Sequence, residues 1–144
     1  MIAVDTNVLV YSHRREAAEH KTAAGLLRSL AEGTAPWAIP WPCVYEFFSA
    51  VTNSRIWGAS ASTPDQAWTQ LSAWLESPAI RLIGESEGFA TVLEGFARRS
   101  RVRGPIIHDA RVAAICVAHA VEKLYTRDRD FSLFPELPTQ NPFV

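Results

Sequence analysis

The chain has 144 residues, 48% of them hydrophobic and 20% charged, with a formal net charge of −1 at neutral pH. That length suits one domain, residues 1–144, with a sizeable core. The charge balance argues against a chain that coats nucleic acid, and no apolar run approaches the roughly 20 residues needed to span a bilayer.

The chain opens without a basic stretch and apolar segment of the export type, so a cytoplasmic protein is expected. Cys43 and Cys116 lie in apolar surroundings, and two cysteines make neither a disulfide framework nor a zinc site, so both read as small core residues. Of the 14 basic residues 12 are arginine, and Arg98, Arg99, Arg101 and Arg103 crowd into "ARRSRVRG".

In chain order, residues 2–5 read as a short buried strand, and Val8, Leu9 and Val10 resume the apolar run. A helix is expected over about 15–32, with Ala17, Ala24, Leu27 and Leu30 near one face and Gly33 at its end. "WAIP" at 37–40 is a short strand. "PCVYEFFSAVTNS" follows as a helix with proline at its mouth. A third helix starts after Thr63, an N-cap followed by Pro64, and carries Trp68, Leu71, Trp74 and Leu75 on one stripe. Residues 80–84 read as a strand, a helix opens at Ser86 and runs to about 100, and another spans about 106–121. "KLYT" is a strand that "RDRDF" leaves, and the tail "NPFV" is expected to add an edge strand. Strands alternating with helices predict an α/β fold, a central, mainly parallel sheet wrapped by helices with right-handed crossovers.

Four carboxylates occupy awkward places in this scheme. Asp5 ends the first core strand, Glu46 interrupts an otherwise apolar helix, Asp109 sits in the first turn of another, and Asp128 follows directly on "KLYT". Each has an ordinary reading: an Asx turn for Asp5, a polar helix face for Glu46, dipole compensation for Asp109, and turn chemistry shared with Asp130 for Asp128. Together those readings weaken. The acids are separated by 41, 63 and 19 residues, yet two fall at the carboxyl ends of strands and one at a helix start facing that edge. Ligands of open α/β sheets bind there. A cluster of like charges needs protonation, interleaved bases or a divalent cation. Oxygen ligands alone favour a hard cation such as magnesium, which polarises a phosphodiester and activates water.

The segments "AVDTNVLVY", "PWPCVYEFFSAVT", "GPIIHDARVAAICVAHAV" and "LYTRDRDF" occur in an order that resembles PIN-domain ribonucleases, and more closely the VapC toxins of type II toxin–antitoxin modules. The resemblance spans nearly the whole chain. It implies an α/β/α sandwich and cleavage of RNA dependent on Mg2+ or Mn2+. By the same resemblance Asp5, Glu46, Asp109 and Asp128 form the catalytic quartet, with Asp5, Asp109 and Asp128 holding the metal. Asn7 and Thr126 would support the acids by hydrogen bonds, and Asp130 would be a further supporting acid. A homodimer, a VapB-like antitoxin laid across the groove, and transfer or ribosomal RNA as target are also implied.

Arg98, Arg99, Arg101 and Arg103, just before the Asp109 helix, are candidates for RNA contact, with dipole compensation at a solvated helix end as the ordinary alternative. Arg111 is placed either on RNA or in a pair with an acid. Trp57 in "RIWGAS" is the aromatic expected to be exposed for stacking; core or dimer packing is expected of the other four tryptophans. Two competing functions are weighed. A dehalogenase-like phosphotransfer domain would want an Asp where Asn7 stands. A non-catalytic RNA- or protein-binding scaffold of the same fold would have little use for four intact acids.

Overall fold

The computed structural model describes residues 1–144. Five strands, β1 (Ile2–Val4), β2 (Trp37–Pro40), β3 (Ile80–Ile83), β4 (Lys123–Tyr125) and β5 (Thr139–Gln140), form one sheet in the order β3-β2-β1-β4-β5. Every pairing is parallel, with Ile2 opposite both Trp37 and Lys123. The sheet is thus wholly parallel.

Seven α-helices flank it: α1 (Thr6–His13), α2 (His20–Glu32), α3 (Trp41–Val51), α4 (Ser54–Trp57), α5 (Pro64–Leu75), α6 (Phe89–Ala97) and α7 (Ile106–Ala118). The chain winds outward from β1 through β2 to β3, then returns across the sheet to β4. Right-handed crossovers therefore place α1 to α5 on one face and α6 and α7 on the other. The reversal puts the switch point between β1 and β4, at whose carboxyl ends Asp5 and Thr126 emerge. One continuous cluster of 30 buried apolar side chains, from Ala3 to Leu137, joins sheet and helices. Cys43 and Cys116 are free and buried within it. No helix is long and apolar enough to cross a membrane.

The sequence reading fails in three places. The helix expected over 15–32 starts only at His20, and a helix not expected, α1, starts directly after β1. Asp5 caps it, its carboxylate accepting from Thr6 N; the Val8–Val10 run, which mimics a strand, is helical. The edge strand is Thr139–Gln140 and not "NPFV"; Phe143 instead packs edge-on against Tyr11. Finally, α4 and the 3-10 turn Gly58–Ser60 occupy a stretch with no expected element. The start of α5 follows expectation, with a full capping box between Thr63 and Gln66. Trp37 and Trp74 are buried as expected, whereas Trp68 is 55% exposed.

Candidate active site

A cleft of about 410 Å³ opens at the carboxyl edge beside the switch point, lined by Asp5, Thr6, Asn7, Val10, Tyr11, Glu46, Ile56, Trp57, Asp109 and Asp128. The four acids singled out in the sequence therefore meet in one place. Strand ends supply Asp5 and Asp128, α3 supplies Glu46, and the first turn of α7 supplies Asp109.

Asp5 forms the floor and is only 6% exposed. Its Oδ1 accepts from Thr6 N at 2.8 Å and from the Cys43 thiol at 3.5 Å. Its Oδ2 accepts from Thr126 Oγ1 at 2.7 Å and Asn7 Nδ2 at 3.2 Å. Burial pushes its pKa up, the Thr126 and Thr6 hydrogen bonds pull against that, and Glu46 adds repulsion. Thr126 is the hub: besides donating to Asp5, its hydroxyl accepts from Asn7 Nδ2 at 3.2 Å and from Asp128 N at 3.0 Å. Asn7 Oδ1 in turn accepts from Arg127 N at 3.2 Å. Asn7 and Thr126 thus tie Asp5 to the segment that follows β4.

The other acids are less tied. Thr6 Oγ1 donates to Glu46 Oε2 at 2.7 Å, which fixes one oxygen and leaves Oε1 free at the exposed rim. Asp128 caps a 3-10 turn, accepting from Asp130 N at 2.9 Å. Asp109 is half-buried, and its pKa is pushed from the ordinary 3.8 to about 7. Burial is the largest cause, followed by repulsion from Asp128, Asp5, Asp130 and Glu46.

One carboxylate oxygen each from Asp109, Asp128 and Asp130 lie within 4.8 Å of one another. This trio includes Asp130, expected only to support, in place of Asp5. Asp5 already takes two donors on each oxygen, so direct ligation by it needs one of them to yield. The long thiol bond is the weakest of the four. All groups facing the cluster are oxygen donors or neutral, a set that suits a hard divalent cation rather than zinc.

None of Arg98, Arg99, Arg101 and Arg103 lines the cleft. Arg98 pairs with Glu94 at 2.9 Å, Arg99 is held by Glu136 and by Leu133 O, and Arg103 Nε bonds Ser100 O at 2.9 Å. The dipole-compensating reading fits Arg98; Arg101 alone of the four makes no side-chain hydrogen bond or ion pair. Arg111 pairs with an acid other than Asp109, Glu85, at 2.5 Å. Tyr11, Val10 and Ile56 were not legible as site residues. Tyr11 lies one helical turn beyond Asn7, a signal that needed α1 to be recognised.

The fold and the acids at the sheet's switch point define a nuclease of the PIN type, and the comparisons agree. Residues 2–137 match the family described as PIN domain. Ribonuclease VapC43 of Mycobacterium tuberculosis is 32% identical over 142 residues, covering 99% of this chain and 95% of the relative. This chain belongs to the PIN-domain family, among the VapC ribonucleases. Two solved structures share the fold. VapC20 of Mycobacterium tuberculosis, described as a sarcin–ricin-loop-cleaving toxin, superposes with a TM-score of 0.66 at 20% identity, over 92% of this chain and 93% of that one. VapBC2 from Rickettsia felis, bound to a DNA fragment of its promoter, gives 0.67 at 19% identity, over 98% of each.

Proposed function

We propose that this chain is a Mg2+- or Mn2+-dependent endoribonuclease, the toxin of a toxin–antitoxin pair. The observation that carries the reading is the convergence of Asp5, Glu46, Asp109 and Asp128 on one cleft that no cationic side chain enters. Asp109, with a pKa of about 7, needs a positive charge in order to ionise fully near neutrality. The donors fit the ion: Asp109 and Asp128 would hold it, with Asp130 and Asp5 within its surroundings. When bound, such an ion lowers the pKa of water and polarises the scissile phosphate.

The chain's own residues do the remaining work. Glu46 Oε1, free while Thr6 fixes Oε2, orients the attacking water and takes its proton. Asn7 and Thr126 keep Asp5 and Asp128 at constant separation, so the cluster does not spread under its own repulsion. Asp5, buried and hydrogen-bonded, supplies fixed negative potential behind the ion. The resemblance and the relatives' names support an RNA substrate and a VapB-like antitoxin; a homodimer, a cytoplasmic setting and residues 1–144 acting as one nuclease domain belong to the same proposal and rest on the sequence alone.

The test is cleavage of total cellular RNA by purified protein with Mg2+ or Mn2+, beside an EDTA control and Asp5→Asn. Discrete cuts absent from both controls are expected. Cutting that persists in EDTA would overturn the metal requirement, and cutting by Asp5→Asn would overturn the site.

A further inference from the structure

Besides the acids, the cleft has apolar lining whose use is not explained by hydrolysis. Ile56 and Trp57 of α4 form a wall of it. Ile56 is 59% exposed, unusual for an isoleucine beside a cluster of charge.

The wall is built rather than incidental. Trp57 Nε1 donates to Ala50 O at 2.9 Å, which fixes the ring's edge. The Arg14 guanidinium lies over the ring, 4.1 Å from its centroid. Arg14 is itself buried, ion-paired to Glu16 and donating to Ser60 O at 2.8 Å and Ser60 Oγ at 2.9 Å. The far end of the loop is closed by Ser62, whose N donates to Val51 O at 2.8 Å and whose hydroxyl meets His13 Nε2 at 2.8 Å. So the segment that displays Ile56 and Trp57 is pinned at both ends, with one face of the indole covered by a cation. What the ring offers the cleft is its remaining surface.

We propose that Trp57 and Ile56 form a stacking wall for the unpaired nucleobase beside the scissile phosphate, and that Arg14 is the positioning residue that holds Trp57. This rests on the nuclease reading above and names how that site chooses its substrate. The charge pattern favours stacking. Arg111 and Arg127, which lie close to Asp109 and Asp128, are engaged by Glu85 and Glu19, and no cation lines the cleft, Arg129 between Asp128 and Asp130 included. The backbone phosphates therefore gain little there from side-chain cations, and a base must be held by its faces. Base–aromatic stacking does this, and a ring fixed in advance loses no freedom on binding. A cation on the ring's covered face extends the stack to Arg14, Trp57 and base.

The experiment uses the full chain and a pool of random-sequence single-stranded RNA with Mn2+, with sequencing of the new ends and steady-state kinetics. Wild-type protein is expected to show a base preference at one position beside the cut. Trp57→Leu should flatten that preference and raise KM roughly 10-fold, with the loss falling in KM more than in kcat. Trp57→Phe should restore much of it. Ile56→Ala, at an exposed position that folding does not need, should flatten it in the same direction even where Trp57→Leu folds poorly. Arg14→Lys keeps the charge but loses the planar stack, and should flatten it partway.

A wild-type protein that cuts with no base preference, or with a preference that Trp57→Leu and Ile56→Ala leave intact, overturns this proposal alone. Weaker antitoxin binding by those variants with an unaltered cutting profile would overturn it too, and make the wall a protein-docking surface. A wild-type protein that does not cut at all overturns the nuclease reading instead.

Discussion

Asp109→Asn tests the electrostatics of the site without assuming its chemistry. Asp109 has a native pKa of about 7 against an ordinary 3.8. Between about pH 4 and 7 the native state then holds a proton that the unfolded chain has lost. Stability attributable to this group is thus fully present below pH 4, falls as pH rises, and is lost above about 7. About three pKa units at about 1.36 kcal/mol each set a ceiling of about 4 kcal/mol. The side chain is only half-buried, and solvent screening reduces this to about 2 kcal/mol. Asparagine also forgoes about 0.3–1 kcal/mol of attraction to the start of α7. The net expectation at pH 8 without metal is a gain of about 1–2 kcal/mol, a rise in Tm of roughly 3–6 °C for a chain of this size.

Thermal melts followed by circular dichroism at pH 5 and pH 8, with EDTA, measure this directly. The gain should shrink at pH 5, where wild-type Asp109 is already protonated. Added Mg2+ or Mn2+ should raise the wild-type Tm at pH 8 more than that of the variant. The variant should cut no RNA. A variant destabilised by the same amount at both pH values would refute the reasoning, since Asp109 would then be an ordinary helix-start acid under no repulsion.

Thr126→Val removes the hydroxyl that donates to Asp5 and accepts from Asn7 and Asp128 N; with buried polar groups left unpaired, urea unfolding should show a loss of about 2–3 kcal/mol. Thr6→Val releases Glu46 Oε2 on an exposed rim. It should leave the unfolding free energy from urea melts within about 0.5 kcal/mol of wild type while lowering the cleavage rate, read by single-turnover kinetics. Ala120 has φ +55°, a conformation that costs a non-glycine residue about 1–2 kcal/mol. Against glycine's extra freedom when unfolded, about 0.5–1 kcal/mol, Ala120→Gly should raise Tm by about 1–2 °C with cleavage unchanged.

The acids were legible because each violates a local rule: a carboxylate at the end of a buried strand or in an apolar helix has to be explained by something outside its segment. Their convergence followed from parallel topology, which brings strand ends and helix starts to one edge. The α1 helix was not legible because β-branched Val8 and Val10 imitate a strand, and its N-cap is the same Asp5 that marks the site. Two readings fell on one residue, and the expected catalytic one hid the structural one. The apolar wall was hidden for a different reason. Trp57 was expected to be the exposed tryptophan and is only partly so, because its placement depends on Arg14 and Ala50, partners 43 and 7 residues away, a pairing no local pattern announces. The arginine run misled in the opposite sense: its density suggested a common surface, while Arg98 and Arg103 are spent on local partners and Arg99 on Glu136 and Leu133 O, more than 30 residues on.

Asp5 carries more of the site's architecture than its position as a presumed ligand requires. Its four donors come from α1, α3 and the end of β4, so the charge that makes the site electronegative also joins the elements that display the other acids. A neutral isostere at this position would keep the shape only in part, because donors such as Thr6 N and Thr126 Oγ1 would then face one oxygen and one amide nitrogen. Asp5→Asn should therefore lose metal-induced stabilisation and also loosen Asn7 and Thr126, whereas Asp109→Asn should lose the first and not the second. Amide hydrogen exchange at Asp128 N, which Thr126 Oγ1 holds, separates the two. Faster exchange is expected in Asp5→Asn alone. Equal exchange in both variants would mean that Asp5 acts only as a charge and that Thr126 and Asn7 keep their geometry without it.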